Sequence, residues 1–562
     1  MKYGVNSIFT KKKCRNTENV RSVTMKKLLA MLLALIMVLS LAACGTEPDE
    51  PVVDEPVVDE PVVDEPEVEL TYVEEKAAEI AALVEKYAAP ESAEAGWNPY
   101  VEQAILDLCE TYGGTENAYV VFDFDNTTSI FDVEEQLAVY QLQVMAFAFT
   151  PEEISDILFT EIGDHDEDRT DLGYGNGSYA DWVADISAAY DYLYTTYGPF
   201  TAAGLDEAAQ AEIQADPMWA EFATKMRAMY DLVYDAESPA VAYPWVLYWF
   251  TGMTEQEVYD LAYASHTYYG AVETSEVTWE TAGEGTKVGP VSYTWTSGTG
   301  VSENLQELYR VLDENGIDVW VCSASAIDPI RAAVDAYGLH DYVTGVIAMC
   351  RTLVDGKYVN SYDYETGYGW LIEDGEWVKD DVALRAQTQG VGKVNAINAV
   401  IYPRYGVGPL AGFMDSTGDY NFCTEYANLK LVINFNRASR KVTDGGGVIA
   451  ELAIYQRDTL GYTDLATANA AGDTYYVLQG REENGLRGLR PSDKTMRYGK
   501  TEELLFRNED NEAQLQYMID NAMTTEDIIN TFAIKTAADA EGNVLGFKYG
   551  FVSEYAGYHN IG

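Results

Sequence analysis

The stretch Ala118-Tyr-Val-Val-Phe-Asp-Phe-Asp-Asn-Thr127 decides which fold this sequence predicts. Its first half is rich in β-branched and aromatic residues, as in a buried strand, and two aspartates separated by one residue follow. Residues two apart on a strand share a face, so the Asp123 and Asp125 carboxylates can reach one ligand at a sheet edge. One of them can attack phosphorus while the other exchanges a proton. An Asx-rich turn after a buried strand explains the same residues.

Two later segments supply groups that suit a phosphate. Asp318-Val-Trp-Val-Cys-Ser-Ala-Ser325 predicts a buried strand that ends in hydroxyls, so Ser323 can hold a phosphate oxygen. Gly390-Val-Gly-Lys-Val-Asn-Ala-Ile397 places glycines before a helical run. The Lys393 ammonium and the free N–H groups of the helix start would then converge on an anion.

A fourth segment, Leu410-Ala-Gly-Phe-Met-Asp-Ser-Thr-Gly-Asp419, predicts another apolar strand that ends in carboxylates. Asp415 and Asp419 would supply the oxygen ligands that a magnesium ion needs. The four segments follow one another in the order that a single active site requires. Independent motifs in a correct order are a much stronger indication than any one of them alone, and they favour the phosphate chemistry over the turn.

Together these segments resemble the haloacid dehalogenase superfamily, whose phosphatase members carry Asp-x-Asp-x-Thr, a Ser or Thr, a Lys and a paired-Asp motif in this order. The resemblance covers strand ends from residue 118 to about 435. Within the superfamily the chain looks most like the phosphoserine and phosphorylcholine phosphatases, through Phe-Asp-Phe-Asp-Asn-Thr, the acidic Asp132-Val-Glu-Glu135 and Val-Cys-Ser-Ala-Ser. Dehalogenase members lack the second aspartate of the first motif, so the presence of Asp125 favours phosphate over carbon–halogen chemistry.

The resemblance implies a role for each matching residue. The implied roles are Asp123 as nucleophile, Asp125 as general acid and base, Ser323, Lys393 and Asn126 as phosphate ligands, and Asp123, the Asp125 carbonyl, Asp415 and a water-mediated Asp419 as Mg²⁺ ligands. Two positions depart from the family pattern. Met414 replaces a common glycine before the first metal aspartate, and Gly418 replaces a common asparagine before the second.

The same reasoning predicts an α/β fold, with a Rossmann-like core, a parallel sheet and a large inserted cap that is mostly α-helical. Capping-box patterns at Thr150-Pro-Glu-Glu153 and Thr254-Glu-Gln-Glu257 indicate helices in that cap. The predicted divisions are an upstream extension and signal peptide (1–43), a lipidated acidic linker (44–70), the first part of the core (71–130), the cap (131–300), the second part of the core with a small β insertion (301–440) and a C-terminal region to which we assign no role (441–562).

The N-terminal region predicts export and attachment to a membrane. Met25-Lys-Lys precedes a short apolar run, as in a signal peptide, and translation starts at Met1 or Met25. Leu41-Ala-Ala-Cys44 resembles a bacterial lipoprotein box, so Cys44 would carry lipid; an ordinary cleaved signal is the alternative. A Pro-Val-Val-Asp-Glu repeat then forms an extended spacer. The expected location is the extracytoplasmic face of a bacterial cell membrane.

Composition limits the remaining classes of function. The net charge of −56 argues against binding of a nucleic-acid backbone and against electrostatic adsorption to anionic lipid. The four histidines are too scattered to form a local zinc signature, and the cysteines show no metal or redox motif.

The substrate is predicted from charge and from aromatic residues. Asp132, Glu134 and Glu135 follow the first catalytic strand, where the non-phosphate end of a substrate should lie, and carboxylates there favour a cationic group. They also suit a solvated helix start. A helix-like face of Trp245, Tyr248 and Trp249 could surround a quaternary ammonium, although such a face usually packs in a core.

The function predicted from sequence is therefore a membrane-tethered, Mg²⁺-dependent phosphomonoesterase that acts on a small phosphorylated amino alcohol, with phosphorylcholine first. Two alternatives stay open. One is a solute-binding lipoprotein, since tethered acidic α/β proteins often serve uptake, and the other is a protein of this fold that binds phosphorylated ligands without turnover.

Overall fold

A large mixed β-sheet forms the centre of the fold in a computed structural model, which describes residues 96–362, 367–382, 387–438, 444–485, 487–532 and 557–561. The predicted signal peptide, Cys44 and the acidic linker lie outside these residues. The strands are β1 (Tyr119–Phe122), β2 (Ser275–Glu280), β3 (Ser292–Ser297), β4 (Asp318–Ala326), β5 (Gly345–Met349), β6 (Leu353–Val354), β7 (Lys357–Tyr358), β8 (Gly367–Glu373), β9 (Glu376–Val382), β10 (Ala411–Met414), β11 (Leu431–Phe435), β12 (Tyr475–Glu482), β13 (Gly488–Arg490), β14 (Thr495–Met496) and β15 (Glu503–Leu504).

Eleven of the described strands belong to the central sheet, whose spatial order is β15-β14-β12-β11-β10-β1-β4-β5-β8-β9, with β13 beside β12. The six strands from β12 to β5 run parallel, and Val121 pairs with Gly412 of β10 on one side and Trp320 of β4 on the other. After β1 the chain adds β4 and then β5 on one side of β1. It later adds β10 and then β11 on the other side of β1. In open α/β sheets such a reversal of strand order marks the ligand crevice.

Strand β1 is buried on both of its faces. Val120 and Phe122 pack into one apolar cluster, and Tyr119 and Val121 pack into another. A parallel strand that is covered on both faces needs an unbroken apolar run, and Tyr119–Phe122 provides one. The prediction of a buried strand before the aspartates is therefore confirmed.

Antiparallel strands close the sheet at its edges. Strand β8 pairs antiparallel with β5 and with β9, and β6 and β7 form a separate hairpin. Turns at Asp355-Gly356 and Asp374-Gly375 close these two hairpins, and all four residues have positive φ angles of 51 to 81°. Asp-Gly suits such turns because both central residues must adopt the left-handed conformation.

Helices cover the sheet and fill the long connection between β1 and β4. They are α1 (Pro99–Tyr112), α2 (Val133–Val144), α3 (Ile154–Leu158), α4 (Tyr179–Tyr197), α5 (Glu207–Gln214), α6 (Pro217–Ala236), α7 (Pro239–Leu247), α8 (Glu255–Ala271), α9 (Glu303–Glu314), α10 (Ile327–Ala336), α11 (Val391–Ala396), α12 (Tyr402–Tyr405), α13 (Gly445–Tyr455), α14 (Leu465–Ala471), α15 (Glu509–Asp520) and α16 (Thr525–Phe532). Within the described residues, none of the helices is both long and apolar enough to span a membrane.

The segment of residues 131–300, which we call the inserted segment, contains α2 to α8 and the antiparallel hairpin of β2 and β3. Its side chains build most of a large apolar cluster of their own. The capping box predicted at Thr254 and Glu257 opens α8. At Thr150 the Glu153 carboxylate accepts the backbone N–H, but residues 151–153 form a turn and the helix begins at Ile154.

The chain beyond residue 440 continues the central sheet. Strand β12 runs parallel to β11, with Ile433 opposite Val477, and α13 packs against β12. This part of the chain therefore extends the sheet on the side of β1 that lies away from β4.

Candidate active site

A cavity of about 110 Å³ lies at the carboxyl ends of β1, β4 and β10. The residues that line it are Asp123, Asp125, Asn126, Asp132, Glu134, Glu135, Ala138, Tyr230, Tyr243, Val246, Ala324, Ser325, Gln389, Lys393, Asp415, Ser416, Gly418, Asp419 and Arg437. The predicted catalytic, phosphate, metal and acidic residues within the described chain all lie in this lining except Ser323. A volume equal to a few water molecules suits a small ligand.

Asp123 is held by contacts with three segments of the chain. Its backbone N–H donates to the Phe413 carbonyl of β10 at 3.0 Å, and the Thr127 hydroxyl donates to its Oδ2 at 3.0 Å. The Lys393 ammonium donates to its Oδ1 at 2.5 Å. Burial raises the pKa of Asp123, whereas the positive charge of Lys393 lowers it and favours the ionised carboxylate.

Lys393 joins two of the predicted catalytic segments. It lies in the first turn of α11 and also donates to Asp419 Oδ1 at 2.6 Å. Burial by itself would lower the pKa of Lys393, but the Asp123 and Asp419 carboxylates outweigh burial and raise it. The Gly390 N–H donates to the Gly418 carbonyl at 2.7 Å, which fixes the start of α11 against the turn that carries Asp419.

Asp125 has neutral hydrogen-bond donors around its carboxylate. Ser325 Oγ donates to Asp125 Oδ2 at 2.6 Å, the Ser323 hydroxyl lies 3.4 Å from the same oxygen, and the Val133 N–H donates to Oδ1 at 2.7 Å. Burial raises the pKa of Asp125 to about 7, although the Ser325 and Val133 hydrogen bonds oppose the rise. This carboxyl group can therefore give and take a proton near neutral pH.

Three buried carboxylates meet beside Lys393. Asp123, Asp415 and Asp419 each place one oxygen within 4.8 Å of the others. Asp419 Oδ2 accepts from the Asp415 and Ser416 N–H groups at 3.3 and 3.4 Å, and Asp415 Oδ2 pairs with Arg437 at 2.9 Å. Hard carboxylate oxygens in a small cluster fit a magnesium ion. Asp125 is predicted as a metal ligand through its backbone carbonyl oxygen. Its carboxylate accepts hydrogen bonds from Ser325 and Val133.

The acidic residues of the inserted segment form another wall of the cavity. Asp132 is the N-cap of α2 and accepts the Glu134 and Glu135 N–H groups at 2.9 Å. Glu134 accepts the Ala326 N–H at 2.6 Å, so it joins α2 to the end of β4. Burial raises the pKa of Asp132 well above its usual range and that of Glu134 to about 8.

Asn126 lies in the lining and adopts a positive φ of 62°. Its carbonyl oxygen accepts a hydrogen bond from the buried Arg481 of β12 at 2.8 Å. Asparagine tolerates this conformation better than most residues. The turn that follows Asp125 is thus fixed by a strand from the C-terminal region.

Ser325 lies closer to the cavity than the predicted Ser323. Ser323 is fully buried, and its Oγ accepts the Ser325 N–H at 3.1 Å. The Ser-Ala-Ser sequence contains both hydroxyls, and residues two apart on a strand share a face, so the sequence held a signal for either one.

Several further lining residues were not predicted. Tyr230 and Tyr243 come from α6 and α7, Gln389 precedes α11, and Arg437 follows β11. For Arg437 a signal exists in the apolar stretch Leu429-Lys-Leu-Val-Ile-Asn434, which is typical of a buried strand and ends shortly before it. The tyrosines had no local signal, because the packing of the inserted segment brings them to the cavity.

Gln389 lies beside Gly418, one of the two positions that depart from the resembled pattern. A Cβ atom at Gly418 would lie only 2.3 Å from Gln389 Oε1. The Gln389 amide therefore occupies the space that a side chain at position 418 would need.

The predicted aromatic face of Trp245, Tyr248 and Trp249 does not line the cavity. All three side chains are fully buried in the apolar cluster of the inserted segment, and the Trp245 indole donates to the Leu158 carbonyl at 2.8 Å. The alternative that this face packs in a core is confirmed, and its assignment to a cation site is wrong. Aromatic residues spaced by one helical turn usually face the interior.

The fold is shared with a solved structure. The chain aligns with a conserved, functionally unknown protein from Anaerococcus prevotii DSM 20548 at a TM-score of 0.57 and 24% identity, over 72% of this chain and 98% of the other. A cytosolic 5′-nucleotidase IIIB bound to cytidine aligns at a TM-score of 0.27 and 14% identity, over 64% and 84%, which is too weak to carry an argument. No protein-family model and no curated protein matches the chain.

Proposed function

We propose that this chain is a magnesium-dependent phosphomonoesterase of the haloacid dehalogenase superfamily, which acts through an aspartyl-phosphate at Asp123. One observation carries the proposal: Asp123 touches Lys393, while Asp125, two residues later, touches Ser325 in the same cavity. The ammonium favours an ionised Asp123 against the effect of burial, and burial raises the pKa of Asp125 to about 7. Two carboxyl groups in such different environments suit a nucleophile and a general acid.

The two steps follow from these environments. In the first, an Asp123 oxygen attacks phosphorus, the bond to the leaving oxygen breaks, and Asp125 gives its proton to that oxygen. In the second, water attacks the phosphorus of the aspartyl-phosphate, and the ionised Asp125 takes a proton from the water. Inorganic phosphate leaves, and Asp123 returns as a carboxylate. Each step begins with Asp125 in the state that the other step produced.

The remaining lining residues hold the phosphoryl group. Lys393 supplies positive charge, and the Asn126 amide and the hydroxyls at the end of β4 supply neutral donors. Asp123, Asp415 and Asp419 would hold Mg²⁺. When bound, the ion withdraws electron density from the phosphoryl oxygens and stabilises the charge that develops on them.

The inserted segment serves as a cap in this proposal. Its helix α2 starts at the cavity, and Glu134 binds the backbone at Ala326, immediately after the serines of β4. Exclusion of water by such a segment strengthens every charge interaction inside the cavity. The segment also supplies the side chains that meet the part of the substrate beyond phosphorus.

The proposed substrate is a small phosphorylated amino alcohol, with phosphorylcholine first. Asp132, Glu134 and Glu135 place carboxyl groups in the cavity wall, where a cationic group would favour their ionised forms, and Tyr230 and Tyr243 supply aromatic surface in the same lining. A quaternary ammonium is attracted both by carboxylates and by the faces of aromatic rings. The cavity volume of about 110 Å³ suits a small substrate.

We further propose that lipid at Cys44 tethers the enzyme to the outer face of a bacterial cell membrane. Acyl chains supply membrane affinity that an acidic linker cannot. Cys44→Ala should therefore release the protein or stall its processing. A variant that stays membrane-bound after a salt wash would contradict the anchor.

Hydrolysis of a generic aryl phosphate, with and without Mg²⁺, tests the function itself. We expect turnover that depends on Mg²⁺, and an Asp415→Asn variant that needs more Mg²⁺ and turns over more slowly. Tight binding of phosphate esters without turnover would instead identify a binding protein. An unchanged Mg²⁺ titration in Asp415→Asn would remove Asp415 from the metal site.

A further inference from the structure

The three carboxylates of the proposed metal cluster are balanced by two cations. Asp123 and Asp419 share Lys393, and Asp415 pairs with Arg437 at 2.9 Å. In the described part of the chain, no other Lys or Arg forms an ion pair with these three carboxylates. With all five groups ionised, the cluster carries one net negative charge.

The two cations differ in how firmly they are held. The Lys393 side chain is 1% exposed and makes two hydrogen bonds to carboxylates. The Arg437 side chain is 47% exposed and contacts Asp415 through a single nitrogen, Nη1. An arginine carries five N–H donors, of which the contact with Asp415 uses one, and Arg437 also lines the cavity.

The backbone beneath Arg437 is fixed. The Asn436 side chain donates to the Asp493 and Leu505 carbonyls at 2.8 and 3.0 Å and accepts the Ala438 N–H at 2.7 Å. The Asn436 N–H donates to the Gln479 carbonyl of β12 at 2.8 Å. The guanidinium can therefore change its partner by side-chain rotation alone, without movement of the strand.

We propose that Arg437 and a divalent cation compete for the Asp415 carboxylate, and that Arg437, once displaced from Asp415, binds the phosphoryl group of the substrate. This inference rests on the proposed function and adds a coupling between its two ligands. The ion and the phosphate group help each other to bind, because the ion frees the guanidinium and the phosphate receives it. Arginine suits phosphate binding, because its planar guanidinium group can donate two parallel hydrogen bonds to one phosphate group.

The proposal predicts opposite effects on the two ligands when the charge at position 437 is removed. Without the guanidinium the cluster gains a negative charge, so it attracts a divalent cation more strongly. A phosphate dianion loses a charged donor and binds more weakly. A residue that only orients Asp415 as a metal ligand behaves differently, because loss of such a partner weakens metal binding.

Titration calorimetry on the full chain tests this prediction with two probes, Mg²⁺ alone and inorganic phosphate at saturating Mg²⁺. For Arg437→Gln we expect Mg²⁺ affinity to rise about tenfold, as for one charge acting at short range. We expect phosphate affinity to fall about tenfold, as for one charge-assisted hydrogen bond. Arg437→Lys keeps the charge but not the fork, so Mg²⁺ affinity should stay near that of the native protein while phosphate affinity falls in part. Arg310→Gln, on the exposed face of α9 beside Glu314, is the matched control and should change neither affinity.

Weaker or unchanged Mg²⁺ binding in Arg437→Gln, or effects of the same sign on both ligands, would overturn the proposal. If circular dichroism shows that Arg437→Gln does not fold, Arg437→Lys tests the proposal instead. A fall in the Mg²⁺ affinity of Arg437→Lys would also contradict the proposal. Aryl phosphate hydrolysis by the native protein keeps the two claims separate. If Arg437→Gln has opposite effects on Mg²⁺ and phosphate affinity but the native protein shows no turnover, the Arg437 coupling stands and the phosphatase proposal fails. If the native protein turns over but the effects are not opposite, the phosphatase proposal stands and the coupling fails.

Discussion

The Ser325 hydroxyl donates a 2.6 Å hydrogen bond to Oδ2 of Asp125, the carboxyl group that we propose as general acid and base. The donor belongs to the end of β4 and the acceptor to the turn after β1, so adjacent parallel strands build the contact. The hydrogen bond stabilises the ionised form of Asp125 and lowers its pKa, against the larger effect of burial, which raises it. Ser325 thus helps to set the pH at which Asp125, the proposed general acid, loses its proton.

Ser325→Ala should move the alkaline limb of the pH profile upward. Asp125 must be protonated in the first step, so kcat/KM falls as pH rises through its pKa of about 7. Removal of the hydroxyl destabilises the carboxylate, raises that pKa and shifts the limb by about one pH unit. Ser323→Ala is the control and should shift the limb less, because its contact with Asp125 is longer, at 3.4 Å. A downward shift in Ser325→Ala would exclude Asp125 as the acid.

Gly418→Ala should lower activity through Gln389 and not through loss of the fold. The added Cβ would meet Gln389 Oε1 at 2.3 Å, and this flexible side chain can move away. We expect kcat/KM to fall about as far as in Gln389→Ala, and the double variant to be no worse than either single one. Additive losses would show that the two positions act separately.

Gly446→Ala provides the contrasting case. Its Cβ would lie 2.3 Å from the backbone oxygen of Asp415, which cannot rotate away. Asp415 itself must then shift, so this variant should lose both Mg²⁺ affinity and thermal stability. Melting temperatures of the two glycine variants, measured with and without Mg²⁺, separate a side-chain clash from a backbone clash.

Local sequence patterns predicted well the site residues at the ends of the strands. They predicted poorly the other residues that line the cavity. Asp123, Asp415 and Lys393 lie where apolar runs or glycines precede them, and the structure brings them together because parallel strands end at one edge. The strand order, which puts β1 between β4 and β10, is a tertiary feature that no local pattern contains. Tyr230 and Gln389 reach the cavity only through that tertiary packing.

The aromatic residues show the same limit. Periodicity correctly placed Trp245 and Trp249 on one side of the chain, where their rings lie 5.8 Å apart. Periodicity cannot say whether such a face meets a ligand or a neighbouring helix. Here the neighbours are other apolar groups of the inserted segment, and the rings that line the cavity are Tyr230 of α6 and Tyr243 of α7.

Recognition of a cationic substrate should depend on the acidic wall. We expect kcat/KM for phosphorylcholine to exceed that for its neutral carbon analogue, 3,3-dimethylbutyl phosphate, about tenfold or more. The double variant Asp132→Asn, Glu134→Gln should remove most of this preference, because both side chains line the cavity. Asparagine is also a good N-cap, so α2 should survive the change. Equal efficiencies on the two esters in the native protein would end the cation hypothesis and leave the phosphatase standing.

The central claim is that phosphorus becomes bonded to Asp123, and chemical trapping tests it most directly. An aryl leaving group departs without help from an acid, whereas water attack on the intermediate needs Asp125 as base. Asp125→Asn should therefore accumulate the aspartyl-phosphate when it is mixed with an aryl phosphate and Mg²⁺. Borohydride reduction after the quench converts that group to homoserine, which peptide mass spectrometry locates.

The account predicts homoserine at position 123 in trapped Asp125→Asn, and none when Asp123→Asn is treated in the same way. It also predicts that Asp123→Asn loses turnover to below about one per cent of the native rate while its fold stays intact. Label at any other residue, no label in trapped Asp125→Asn, or substantial turnover by Asp123→Asn would contradict the proposed mechanism.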